Sequence, residues 1–122
     1  MNTRRSLGLG ALALALARPA LAQEDLPNRP INVIVPWPPG GPTDTFARVL
    51  SQRMSADTGR SFVVDNRGGA AGTIGMAAAA RMRNDGTTLV ITPNSTFAIA
   101  HHIYPVQYNQ ERDFVGVGLL AS

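Results

Sequence analysis

The apolar run Ile31-Asn32-Val33-Ile34-Val35 stops at Pro36-Trp37-Pro38-Pro39-Gly40-Gly41-Pro42-Thr43-Asp44-Thr45, and a helical pattern starts there at once. A buried strand that must turn within a few residues and enter a helix leaves few folds open. Such a join aims free backbone N–H groups and the positive end of a helix dipole at whatever lies above the strand's C-terminal edge. Gly40 and Gly41 let a ligand approach the backbone closely, and Pro42 suits a first helical turn. The stretch is built to hold a small anion.

The rest of the chain repeats the design. Phe46, Val49, Leu50 and Met54 predict the apolar face of a first helix, running from Pro42 or Thr43 to about residue 56. Ser61-Phe62-Val63-Val64-Asp65 predicts a second strand, short and apolar enough to be buried. Asn66-Arg67-Gly68-Gly69-Ala70-Ala71-Gly72-Thr73-Ile74-Gly75 is a second glycine-rich loop, with Thr73 expected to cap a helix reaching to about Arg83. Asn84-Asp85-Gly86 marks a turn, residues 87–92 a third strand, Pro93-Asn94-Ser95-Thr96 a third loop, and residues 97–103 a short helical piece. A last strand is expected over residues 113–120. Strands alternating with helices predict an α/β fold with a parallel βαβαβ sheet, and ligands of such sheets sit at the C-terminal ends of the strands. All three loops fall on that edge.

The N-terminus reads differently. Arg4 and Arg5 precede a short apolar stretch, and Ala20-Leu21-Ala22 is a small-x-small cleavage signal, so residues 1–22 are expected to be an export signal cleaved after Ala22. The apolar stretch is too short to span a bilayer, and Thr3-Arg4-Arg5-Ser6-Leu7 leaves both the general and the twin-arginine export routes open. Every cationic residue is Arg, and three of the eleven lie in this leader; the remaining eight balance the eight acidic residues. The basic character therefore leaves with the leader and is no sign of a nucleic-acid partner, and none is expected. With no cysteine there is no disulfide framework and no thiolate metal site. Phe114-Val115-Gly116-Val117-Gly118-Leu119-Leu120 runs on with nothing to close it, which predicts that residues 23–122 are the N-terminal part of something longer.

Other chemistries fit less well. The second loop spaces its glycines as G-x-x-G-x-x-G, wrong for a dinucleotide turn, and a P-loop needs a lysine that the chain lacks. His101 and His102 are adjacent and have no partner at helical spacing for a metal. Ser95 has no glycine-framed elbow. Trp37 is either a pocket wall or packing beneath its loop, and Arg67 pairs either with a ligand carboxylate or with Asp65.

Pro36-Trp37-Pro38-Pro39-Gly40-Gly41-Pro42-Thr43-Asp44, Val63-Val64-Asp65-Asn66-Arg67 leading into Gly72-Thr73-Ile74-Gly75, then Asp85-Gly86-x-x-Leu89, and Asp113-Phe114 before a strand closely resemble the substrate-binding receptors of tripartite tricarboxylate transporters, the Bug family. The chain departs from the family's pattern at Gly68, usually Pro, and at Ala100-His101, usually near an Asn-Pro pair. The resemblance implies a periplasmic, monomeric receptor of the two-lobed type II periplasmic-binding-protein (flytrap) fold, of which residues 23–122 form part of lobe 1 without the second lobe. It implies a small carboxylate or related organic solute as ligand, membrane permease subunits as partners, and neither cofactor nor metal. The residues it places at the ligand are Trp37, Gly40, Gly41, Thr43, Asp44, Gly72, Thr73, Ser95 and Thr96, gripping a carboxylate through backbone N–H groups, hydroxyls and bridging waters. Asp44 serves either a donor on the ligand or the first turn of its own helix. Two other readings stay open: an exported α/β enzyme using the loops as an oxyanion cradle, and a truncated paralogue without function.

Overall fold

The computed structural model describes residues 26–120, so the expected leader and its cleavage site lie outside the described residues. Strands β1 (Ile31–Val35), β2 (Phe62–Asn66) and β3 (Thr88–Val90) form an all-parallel sheet in the order β2-β1-β3. Helix α1 (Pro42–Thr58) links β1 to β2, and α2 (Thr73–Ala80) links β2 to β3; α3 (Ala100–Ile103) and α4 (Gln110–Asp113) follow. The chain steps from β1 to one side and then crosses to the other, so strand order reverses at β1. Right-handed crossovers in opposite directions put α1 and α2 on opposite faces of the sheet.

Strand β1 sits in the centre and is almost wholly buried, as its apolar sequence demands. Val33 and Val35 point to the α1 side, where they pack on Ala47 with Trp37, Phe62, Val64 and Ile91 around them. Ile34, fully buried, points the other way, the side on which Met76 and Ala79 of α2 are buried. Backbone bonds extend the ladder past the strand ends: Arg67 N–H to Val35 O at 2.8 Å, and Ile91 N–H to Ile34 O at 3.0 Å. All three chain exits are thereby fixed at the same edge.

Three expectations are corrected. Helix α1 buries Asp44, Ala47 and Ser51, whereas Phe46 and Val49 are exposed, Val49 at 63%. The buried stripe is turned from the most apolar one because the acid at its head is satisfied by Gly40 and Arg48 nearby and by Asn66 from the end of β2. Strand β2 is an edge strand paired only with β1, and Val63 on it is 47% exposed, because α2 packs over β1 and β3 on that face of the sheet. Residues 114–120 form no strand: they pair with neither edge of the sheet, and Val115 and Val117 are 89% and 88% exposed.

Candidate functional site

The first loop is held from inside. Asp44, the third residue of α1, is 3% exposed, and both of its carboxylate oxygens are occupied. Oδ2 accepts from Gly40 N–H at 2.9 Å and from Arg48 Nε at 3.0 Å, one helical turn on; Oδ1 accepts from Asn66 Nδ2 at 2.9 Å. The same Asn66 amide donates to Trp37 O at 3.1 Å, and its Oδ1 accepts from Arg48 at 3.0 Å. Of the two roles open to Asp44, the bonds within the protein are the ones made here, closing a capping arrangement around the start of α1. Asn66 and Arg48 were not expected at the site. The i,i+4 spacing of Asp44 and Arg48 was legible in the sequence; the reach of Asn66 across from the end of β2 was not.

The hydrogen bond from Arg48, with those from Gly40 N–H and Asn66, lowers the Asp44 pKa from 3.8 to about 2. A carboxyl depressed in the folded state contributes stability that is present above its unfolded value and is lost as pH falls through the folded one. Between about pH 4 and pH 2 the wild-type chain should therefore lose more thermal stability than an Asp44→Asn variant. Melting temperatures across that window test this, and parallel curves would refute it.

The second loop turns through four successive residues with positive φ: Gly69 at 127°, Ala70 at 47°, Ala71 at 54° and Gly72 at 91°. Alanine adopts this region at a cost of about 1–2 kcal/mol, so Ala70 and Ala71 are held there by their surroundings. Gly72, not Thr73, is the N-cap of α2; Thr73 is its first residue, buried, with its hydroxyl donating back to Ala70 O at 2.9 Å. A Cβ on Gly72 would lie 2.4 Å from Thr96 Cγ2 and 3.3 Å from Pro36 O. The first, second and third loops thus meet at Gly72.

Thr96 is 1% exposed and accepts from Trp37 Nε1 at 3.0 Å. Trp37 continues the alternation of Val33 and Val35 past the strand end, half-buried beneath its loop with the indole N–H turned to the third loop. Gly40 is exposed at φ +87°, but its N–H belongs to Asp44. Gly41, the N-cap of α1, has no side-chain cap; its carbonyl accepts from Thr45 N–H at 3.0 Å and Thr45 Oγ1 at 3.1 Å. The hydroxyls of half-buried Thr43 and exposed Ser95 have no hydrogen-bond partner among the described residues. The nine residues therefore divide into two sets. Asp44, Gly72, Thr96 and the Trp37 indole fasten the loops to one another and Thr73 braces the second loop on itself; Gly40, Gly41, Thr43 and Ser95 face outward.

The remaining candidates lie elsewhere. Arg67 pairs with Asp65 at 2.8 Å on the surface. His101 and His102 sit in α3 with ring centroids 3.9 Å apart, and His101 Nδ1 is bonded to Phe97 O at 3.2 Å. One groove of about 490 Å³ lies toward the N-terminal ends of the strands, lined by Arg29, Asn32, Arg83 and Thr88 among others. Another, of about 320 Å³, runs between α2 and Pro105-Val106-Gln107 and touches Thr73. Neither spans the three loops.

Comparison with known proteins agrees with this architecture. The family described as "Tripartite tricarboxylate transporter family receptor" matches residues 46–122. The UPF0065 protein of the tcbD-tcbE intergenic region of a Pseudomonas species is 41% identical over 126 aligned positions, covering 99% of this chain and 37% of that protein. Protein BugT of Bordetella pertussis is 38% identical over 126 positions, covering 100% of this chain and 39% of its own length. A solved periplasmic transporter is 46% identical with a TM-score of 0.63, over 69% of this chain and 29% of that one. MatC from Rhodopseudomonas palustris with bound malate is 35% identical with a TM-score of 0.66, over 72% and 30%. The chain spans less than two fifths of the length of these curated relatives. With a family match over more than half of its residues and the same parallel α/β framework, the chain belongs to the tripartite tricarboxylate transporter receptor family, the Bug-type receptors.

Proposed function

We propose that residues 23–122 form the first wall of a periplasmic receptor that binds a small carboxylate and delivers it to the membrane permease of a tripartite tricarboxylate-type transporter. The observation that carries this reading is the convergence of three loops at the C-terminal edge of a parallel sheet, where Gly72 meets both Thr96 and Pro36. Around that point the α1 N-terminus, whose N-cap Gly41 has no side chain to cap it, offers N–H groups, and Thr43 and Ser95 offer hydroxyls. These are donors suited to a carboxylate. A relative solved with malate, and another from R. palustris solved with adipate, support the same ligand class.

Binding fits the loops better than catalysis does. Their one carboxylate, Asp44, has both oxygens engaged and is held ionised down to about pH 2, so it is not free to serve as a general acid or base. The receptor acts as an exported monomer freed of residues 1–22, and its second lobe, which the relatives' greater length can supply, closes over the ligand. One wall alone buries too little of a small ligand for tight binding.

Two titrations test this. Calorimetry with malate and adipate on the chain by itself should give no micromolar binding, and such binding would overturn the half-site. Residues 26–120 should next be grafted into a full-length receptor of the family, with and without Gly41→Val. Gly41 is extended at φ −79°, and a Cβ there meets only Pro38 O at 3.7 Å, so the fold tolerates a side chain while the ligand approach does not. A loss of at least about tenfold in affinity, roughly 1.4 kcal/mol, is expected; unchanged affinity moves the site elsewhere.

A further inference from the structure

We infer that Asn66 is a positioning residue for the candidate site, setting the first loop by pinning the backbone of Trp37 to the end of β2. Its amide donates to two acceptors, Trp37 O at 3.1 Å and Asp44 Oδ1 at 2.9 Å, and Arg48 holds its carbonyl oxygen at 3.0 Å. The three contacts fix the amide's orientation, since a flipped Asn66 would set oxygen against both acceptors and nitrogen against a guanidinium. Trp37 is thereby tied at two points: its carbonyl to the strand that leads into the second loop, and its indole N–H to Thr96 of the third. Asn66 stands apart from the outward-facing donors and acts on the ligand through Trp37 and the start of α1. A small polar residue at a strand end thus decides where the tryptophan stands.

Trp37 is the chain's one tryptophan, so its fluorescence reports this position directly. Only the ligand class here rests on the carboxylate reading. The test uses the ligand-free chain, so its failure is distinct from a failure of that reading. Asn66→Asp keeps the shape and replaces the donor by a carboxylate oxygen facing Trp37 O and Asp44. Trp37 emission should move to longer wavelength and acrylamide quenching should rise, with a lowered melting temperature. The exchange variant Asp44→Asn with Asn66→Asp separates positioning from simple stability. In it the 44–66 bond re-forms with donor and acceptor reversed, and Arg48 gains an ionic partner at position 66. Trp37 O still faces an oxygen. The melting temperature should recover while Trp37 emission stays displaced. Wild-type emission from the single variant, or recovery of emission together with melting temperature in the exchange variant, would overturn the assignment.

Discussion

Gly75→Ala will unfold or severely destabilise the chain, although alanine is the better helix former by about 1 kcal/mol in a helix interior. Gly75 is the third residue of α2, and a Cβ there would lie 2.5 Å from Arg67 O, 2.6 Å from Pro36 Cβ and 2.7 Å from Pro36 Cα. None of these atoms is the far end of a flexible side chain. Relief requires α2 to back away from the ends of β1 and β2, which would open the junction of the first two loops. The expected loss is about 3 kcal/mol or more, at the upper end of what overpacking costs. Propensity and packing predict opposite signs here, so a urea denaturation midpoint decides between them. A variant as stable as wild type would mean that α2 does not approach the first loop as closely as described.

Gly72→Ala should be nearly as damaging, for two separable reasons. Its φ of +91° suits glycine, and the added methyl would meet Thr96 Cγ2 at 2.4 Å and Thr96 Oγ1 at 3.0 Å. Backbone strain of about 1–2 kcal/mol adds to overpacking of about 1–3 kcal/mol. The second part can be relieved. Thr96→Ser removes the closest carbon and keeps the hydroxyl that accepts from Trp37. In a double-mutant cycle the two substitutions should couple favourably by about 1 kcal/mol or more. Strictly additive losses would show that the second and third loops do not touch at this point.

The strand-loop-helix joins were legible because a change of hydrophobic period, interrupted by glycine and proline, is local information. The order of elements from β1 through α2, and the gathering of three loops at one edge, could be read from it. The buried face of α1 could not. Asp44 and Ser51 lie in the buried stripe while Phe46 and Val49 lie outside it, and hydrophobicity alone cannot anticipate a carboxylate satisfied by Arg48 beside it and by Asn66 from another strand. Thr73 looked like the cap of α2 because nothing in Ala70-Ala71 announces two left-handed residues, which shift the cap to Gly72. Residues 114–120 have a strand's composition, but a strand exists only where a neighbour accepts its hydrogen bonds. Around the candidate site, the meeting of the three loops was legible; which hydroxyls and carboxylates the protein uses to hold itself together was not.

Placing the first strand at the centre of the sheet also sets the order in which the molecule can assemble. The register partners Ile31 and Phe62 are separated by a single helix, whereas Asn32 and Thr88 are separated by nearly twice that length of chain. Loop closure costs only about 0.6 kcal/mol more per doubling, but β3 has just three residues with which to offset it. The β1-α1-β2 unit should therefore form first and β3 should dock last and open first, taking Ser95 and Thr96 with it. Amide exchange near Leu89 and Thr96 should be faster than near Val33 and Val64, making the third wall the one through which the neighbourhood of Trp37 first meets solvent.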